Sequence, residues 1–280
     1  MGKKNEKAGT VFFKIAGVII AAVFAAAVIY PLVFIVMSSL KTNNDIIMNP
    51  FGMASFNPGN YFRAWNIAHI GRYFLSSAYV SLMSLLISLL VIIPAAYALG
   101  KLKPHFGKII MAVLLSGMFI TSEMTTIPNF TLLKSWGMYN THWGLILPYV
   151  AAAMVLGIYI LAGYVELMPR EIEEAALIDG AGVFRTMVSI DLPMMLPPVV
   201  TVAILSFQNF WSEFYWALII IQSNALKTLP LGMMNFQSQY ATDYGILSAG
   251  IVIMTIPLVA LYIFGSERFV GGVTAGALKG

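Results

Sequence analysis

The acidic side chains of this sequence are gathered in one short segment. Six of the twelve Asp and Glu residues lie between Glu166 and Asp191, although only 10% of the 280 residues are charged. A cluster of carboxylates has to lie in water, where it can form ion pairs with the basic surface of another molecule. The chemistry that best suits this segment is therefore recognition of a partner.

The other reactive residue types form no recognisable catalytic pattern. His69, His105 and His142 lack the spacing of metal ligands, and the sequence contains no cysteine. The phosphate-binding pattern Gly-x-x-x-x-Gly-Lys-Ser/Thr does not occur, and the nearest approach, Gly100 to Lys108, has the wrong spacing. We therefore predict no catalytic residue, no metal site and no cofactor bound by this chain.

Composition indicates which elements carry these residues. The sequence is 59% hydrophobic with a mean hydropathy of +0.84, whereas roughly a quarter of the residues in a soluble domain are charged. Spanning a bilayer as a helix needs about 20 apolar residues. Six segments meet this length, and they predict an all-α polytopic membrane protein with six transmembrane helices: 15–37, 73–99, 109–128, 143–165, 196–222 and 245–265.

Basic residues in the connecting segments indicate the orientation. An inside N-terminus leaves eleven Lys and Arg residues on inner segments and five on outer ones. Because inner loops carry the excess of basic residues, both termini are predicted to be cytoplasmic, and the net charge of +4 reports orientation and not nucleic-acid binding. The predicted divisions are a cytoplasmic tail at 1–14, the first helix and outer loop at 15–72, a core at 73–265 with a cytoplasmic loop at 166–195, and a cytoplasmic tail at 266–280.

The loop 166–195 is predicted to hold two short helices. Pro169 suits a helix start and Gly180 suits a left-handed end, so the first helix should cover Arg170–Ile178. A second should cover Val183–Ile190 and stop at Leu192-Pro193. Helical spacing places four residues on one face, where small alanines leave room for a close-fitting partner: Ile172, Ala175, Ala176 and Asp179. The alternative, a helix lying on lipid, is disfavoured because anionic headgroups would repel the acids.

The order Glu174-Ala175-Ala176, Gly180, Ile190 and Leu192-Pro193 resembles the signature loop of binding-protein-dependent ABC transporter permeases. The wider chain resembles the shorter, six-helix carbohydrate-uptake permeases of the maltose type, through stretches such as Gly144–Tyr149 and Gly272–Gly280. The resemblance implies a type I ABC importer transmembrane domain in a bacterial cytoplasmic (inner) membrane. It also implies a second permease subunit, two ATPase subunits that bind ATP and Mg²⁺, and an extracytoplasmic sugar-binding protein.

The same resemblance implies roles for particular residues. The cytoplasmic loop would dock onto the ATPase through Glu174, Ala175, Ala176, Asp179, Gly180 and Arg185. The segment Gly271–Gly280, with its small side chains, should be mobile by itself and would reach between the ATPase subunits. Its candidate contacts are Thr274, Gly276 and Lys279. A frayed terminus is the alternative for this segment.

Two acids, Glu123 and Glu213, interrupt apolar segments. An ionised carboxylate at mid-bilayer costs about 2.5–3.5 kcal/mol on insertion scales, so such acids usually face a cavity or a partner. Rings that stack on sugar faces and amides that bond hydroxyls would make a sugar pathway of Gln208, Asn209, Trp211, Glu213 and Tyr215. One alternative is an aromatic belt at the outer interface with an acid that pairs across the subunit contact. For the whole chain, the alternative is an ion-coupled secondary transporter or channel that uses the two acids.

Overall fold

Every regular element in the described part of the chain is helical. The computed structural model describes the backbone of residues 2–236 and 243–277, and the side chains of 14–236 and 243–265 apart from 170, 173 and 177. Fourteen α-helices follow one another in these residues. Their bounds are α1 Gly2–Ser39, α2 Asn43–Met48, α3 Gly59–Phe62, α4 Ile70–Tyr97, α5 Gly107–Ser116, α6 Ser122–Ser135, α7 Trp143–Glu166, α8 Arg170–Ile178, α9 Val183–Thr186, α10 Leu192–Met194, α11 Leu196–Ser212, α12 Tyr215–Ile220, α13 Leu229–Gly232 and α14 Tyr244–Ala277.

The chain divides into two compact units, the first of residues 1–70 and 235–255. In this unit a buried lysine organises the segment after α1. The Lys41 side chain is fully buried, and its Nζ donates hydrogen bonds to the carbonyls of Asn49 and Pro50 at 3.0 and 3.1 Å. Asp45, on α2, accepts the backbone amides of residues 54 and 55 at 3.2 and 2.9 Å. Because its ammonium group has carbonyl acceptors close by, Lys41 can be buried without losing all of its hydrogen bonds.

The second unit, residues 71–234 and 256–280, is built around α7. One apolar cluster joins α7 to α12 through residues such as Leu145, Ile146 and Ile220, and another joins α7 to α4 and α11. Lipid tails are as apolar as these side chains, so helices in a bilayer associate through close packing more than through water exclusion. Gly157 permits such packing, because a Cβ there would lie 2.7 Å from the Ile92 side chain.

The described residues hold four continuous candidate membrane spans, and six if each of two bent helix pairs counts as one span. Within the described residues, four helical stretches are long and apolar enough to cross a bilayer: Lys14–Ser39, Ile70–Leu102, Trp143–Glu166 and Tyr244–Gly265. Two bent helix pairs also pass this test together, Gly107–Phe119 with Ser122–Ser135 at 103°, and Val183–Met194, which lies within the loop 166–195, with Leu196–Ser212 at 76°. This arrangement is consistent with the prediction of six membrane helices, with each bent pair taken as one span.

The breaks change the third and fifth predicted spans. The predicted span 109–128 turns at Ile120, which has an extended backbone and separates the 3₁₀ turn Gly117–Phe119 from α6. The segment 196–222 stops at Ser212 and resumes as the short helix α12. The predicted stop at Leu192-Pro193 is also wrong, because Pro193 lies within the first turn of α10, where its missing amide costs no hydrogen bond.

The C-terminal segment has helical backbone that was not predicted from the sequence. Helix α14 continues to Ala277, so the backbones of Thr274 and Gly276 are helical. Lys279 lies outside the described residues. Alanine and the apolar residues of 266–277 extend the helix without a break, and the glycines alone do not end it. The predicted boundary at 265 is therefore not a boundary of secondary structure.

Candidate functional site

The acidic loop forms the predicted helix over Arg170–Ile178, with the predicted glycine at its end. Gly180 has a φ of +81°, and the amide of Ala181 donates to the carbonyl of Ala176 at 2.9 Å. A hydrogen bond that spans six residues and encloses a left-handed glycine is the hallmark of the Schellman motif, which satisfies backbone carbonyls at the end of a helix. The motif turns the chain sharply into α9 and fixes which face of α8 is outward.

The outward face of α8 is not the face that helical spacing suggested. Ala176 is only 6% exposed, and α8 packs against α9, so Ala176 faces the protein's own chain. On the opposite side, Glu171, Glu174 and Ile178 follow one another at i, i+3 and i+7 and are all exposed. Ala175 and Asp179 are exposed at the border between the two faces. The predicted docking set is thus divided, with Ala176 supporting the helix from beneath.

Two exposed apolar residues of this loop were missed from the sequence. Ile178 is 86% exposed and Phe184, on α9, is 75% exposed, beside the exposed Arg185. We call Glu171, Glu174, Ile178, Phe184 and Arg185 the loop face. Large apolar residues that project from a charged loop indicate a surface that another protein covers. The available signal was Ile178 itself, an isoleucine next to a helix-ending Asp-Gly pair.

Glu213 is bonded within the second unit and has a structural role. It lies in the break between α11 and α12, where its carboxylate accepts the amides of Trp216 at 2.6 Å and Ala217 at 3.1 Å. The Tyr149 hydroxyl donates to the same carboxylate. Free amides in the first turn of a helix are a favourable site for a carboxylate. Glu213 therefore caps α12, and this accounts for an acid at membrane depth.

The five predicted pathway residues do not form one surface. Trp211 is buried, with its ring on Phe74 and Phe207 at 5.3 and 5.6 Å between centroids, so it belongs to the core. Asn209 and Glu213 line a cavity of about 210 Å³ between α7 and α11, whereas Gln208 is exposed outside it. Tyr215 and Glu213 border a second cavity of about 870 Å³ beside the bent third span.

Glu123, the other intramembrane acid of the sequence, begins the second arm of the bent third span. It is exposed in the first turn of α6 and accepts a hydrogen bond from the Ser122 hydroxyl at 3.3 Å. No group of three or more His, Cys, Asp or Glu side chains that could hold a metal ion is present among the described residues. The two acids are separate and each is held by local donors.

The helices and the loop match a known group of membrane proteins. Residues 18–269 match the family model described as binding-protein-dependent transport system inner membrane component. The chain belongs to this family. Among similar sequences is the probable ABC transporter permease protein YurM of Bacillus subtilis, 34% identical over 258 residues that cover 92% of this chain and 86% of the relative.

Other similar proteins carry names that refer to carbohydrates. The diacetylchitobiose uptake system permease protein NgcG of Streptomyces coelicolor is 33% identical, with 91% of this permease and 86% of the relative covered. The melibiose/raffinose/stachyose import permease protein MelC of Bacillus subtilis is 28% identical, with 94% and 95% covered. A solved bacterial ABC transporter that imports alginate shares the fold, with a TM-score of 0.82 at 19% identity over 92% of this permease and 96% of that chain.

Proposed function

We propose that this permease is one subunit of an ATP-driven importer of a sugar or oligosaccharide. Its family membership supports import, and the names of its relatives support a carbohydrate substrate. ATP and Mg²⁺ would bind two separate ATPase subunits, since the sequence has no phosphate-binding loop. A second permease subunit and an extracytoplasmic sugar-binding protein would complete the complex. The family assignment disfavours the alternative of an ion-coupled transporter that uses Glu123 and Glu213.

The loop face is the surface that would receive the ATPase subunit. It combines a projecting isoleucine, a projecting phenylalanine and two carboxylates on short helices, and the Gly180 turn fixes their relative direction. A buried apolar anchor surrounded by charged groups is the usual arrangement of a binding hot spot. Ala175, Asp179 and Arg185 would form the rim, while Ala176 and Gly180 would keep the helix in place. The loop would lie in the cytoplasm, as the basic residues indicate.

The single observation that carries this assignment is the exposure of Ile178, and a matched pair of variants tests it. Ile178→Ser should lower the amount of ATPase that co-purifies with the permease by roughly tenfold or more, because truncating an anchor costs about 2 kcal/mol or more. Ile67→Ser is the control, since Ile67 is also exposed, on the predicted outer side. Equal ATPase recovery from both variants would show that Ile178 does not anchor the contact.

The substrate route is proposed for fewer residues than the sequence indicated. Asn209 and Tyr215 each line a cavity with Glu213, so these three are the candidates that the described geometry supports. Trp211 would affect transport only through core packing, and Gln208 lies on an exposed surface outside the cavity. A sugar hydroxyl that approached Glu213 would have to compete with the α12 amides for the carboxylate. We therefore propose that Glu213 shapes the route and that Asn209 and Tyr215 face the substrate.

A further inference from the structure

A third cavity lies at the other end of α7, next to the turn that joins α4 to α5. Its volume is about 410 Å³, and it is bounded by the C-terminal turns of α7, the π-helical turn Ala98–Leu102 and the start of α5. The segment 103–107 is a tight turn, in which the Gly107 amide donates to the Pro104 carbonyl at 2.7 Å. The walls of this cavity are therefore regular elements joined by a short, hydrogen-bonded turn.

Most of the ionisable side chains that line this cavity are basic. Lys103, His105 and Lys108 face it, together with one acid, Glu166, which pairs with the Lys103 ammonium at 2.8 Å. Lys101, on the adjacent turn, donates to the Met168 carbonyl at 3.0 Å. Within the cavity two lysines and a histidine thus face one carboxylate, and the surplus of charge is positive. An anion is the ligand that this surplus favours.

Lys103 has a backbone conformation that glycine would adopt at lower cost. Its φ is +46°, in the left-handed region, where an L side chain is strained by roughly 1 kcal/mol or more. The amide of Lys103 donates to the Ala98 carbonyl at 3.1 Å, so the residue ends the helical path of α4 as a glycine commonly does. The side chain of this strained lysine lines the cavity.

The same cavity becomes apolar toward the middle of the membrane. Tyr159, Ala162 and Met111 line its deeper part, and Tyr159 lies seven residues before Glu166 on α7, or about 10 Å along the helix. Leu102, Phe106 and Ile109 are exposed around the basic end. A ligand that fits both parts has an anionic head and an apolar tail, since the head would meet the lysines and the tail would lie against α5 and α7.

We propose that this cavity binds the headgroup of an anionic phospholipid from the inner leaflet. The proposal rests on the proposed cytoplasmic side for residues 100–108 and goes beyond transport itself. Basic pockets between transmembrane helices at the cytoplasmic surface suit such headgroups, and each lysine near the surface contributes roughly a fivefold gain in affinity. Lys103 and Lys108 bind the phosphate, whereas the carboxylate of Glu166 repels it. Removing the lysine charges should therefore weaken lipid binding, and removing the Glu166 charge should strengthen it.

Native mass spectrometry of the intact transporter complex measures this binding directly. The complex is equilibrated with equal amounts of phosphatidylglycerol, phosphatidylethanolamine and phosphatidylcholine of the same acyl chains. We expect phosphatidylglycerol to be retained in preference, and Lys103→Gln with Lys108→Gln to lower this retention roughly thirtyfold. Glu166→Gln should raise it about fivefold. The control is Lys134→Gln with Lys227→Gln, which removes the same charge from the predicted outer side and should leave retention unchanged.

Several results would overturn the proposal. Equal retention of the three lipids, an equal loss in the control variant, or a loss in Glu166→Gln would each contradict an anionic headgroup site. Displacement of phosphatidylglycerol by excess inorganic phosphate would identify a site for free anions instead. Lipid retention is measured without any transport assay. A negative result here therefore does not contradict the proposed importer function, and a failure of sugar uptake does not affect the measured lipid retention.

Discussion

At the scale of single residues, Asp45 shows how the segment after α1 is held. Its carboxylate accepts the Ser55 hydroxyl and the amides of Ala54 and Ser55. Burial alone would raise the pKa of Asp45, but the Ser55 hydrogen bonds and the nearby Lys41 ammonium outweigh it and lower the pKa below its usual value. A folded pKa below the unfolded one means that the carboxylate contributes stability at neutral pH.

Asp45→Asn should therefore loosen the turn that Asp45 closes. The measurement is amide hydrogen exchange at Ala54 and Ser55, which should speed up in the variant because their acceptor is weakened. In the unchanged protein the same protection should be full above the ordinary aspartate pKa of about 3.9 and should fall as the pH drops through the lowered folded value. The control variant is Asp179→Asn, which changes an exposed carboxylate elsewhere in the chain. If Ala54 and Ser55 also exchanged faster in this control, a local role for Asp45 would be contradicted.

Glu213 marks the limit of residue-level prediction from the sequence. Its position among aromatic and amide residues indicated a substrate contact, but the carboxylate caps α12. The cap became visible only with the break at residues 213–214, because an unbroken helix has no free amides there to satisfy. Ala176 is a similar case, since spacing gives the angle around a helix axis but not which side faces the protein's own chain.

At the scale of elements, Gly180 is needed for its left-handed backbone and not for the small size of its side chain. Gly180→Ala should destabilise the end of α8 by about 1 kcal/mol, because its φ of +81° is unfavourable for any residue with a Cβ. Gly182→Ala is the matched control, since Gly182 has a φ of −73° and open space where a Cβ would be added. Hydrogen exchange of the α8 amides should rise in the first variant and not in the second. Equal exchange in both would contradict the left-handed cap.

Short helices with clear ends were predictable, whereas bends in apolar helices were not. Pro169 and Gly180 determine the ends of α8 by local backbone chemistry, and the predicted bounds Arg170–Ile178 agree with the structure. The third span carries apolar residues on both sides of its bend at Ile120, so length and hydropathy are the same for a straight and a bent helix. Packing against α7 and α12 decides the direction, and that information is not local.

At the scale of the whole molecule, the arrangement in the membrane remains a prediction with a direct test. The chain has no cysteine, so single cysteines can be introduced and labelled with an impermeant thiol reagent. Ile67→Cys should be labelled in intact cells, whereas Ile178→Cys should be labelled only after the membrane is opened. Both residues are exposed in the permease itself, so in cells that lack the ATPase subunits differences in labelling report the side of the membrane. Labelling of Ile178→Cys from outside would reverse the predicted orientation of the loop face.

The bend in the third span has a consequence for hydration. Where α5 gives way to α6, the backbone leaves helical geometry at Ile120, and amides and carbonyls near the turn lose their partners along the helix. Lipid cannot bond these groups, so a non-helical backbone at this depth has to be covered by protein or line a wet cavity. The 870 Å³ cavity beside Gly117 and Ser122 is large enough for many water molecules. We therefore expect this depth of the membrane to be covered by a partner subunit or to be wet, and a wet bend would require the barrier against ion leakage to lie elsewhere along the route.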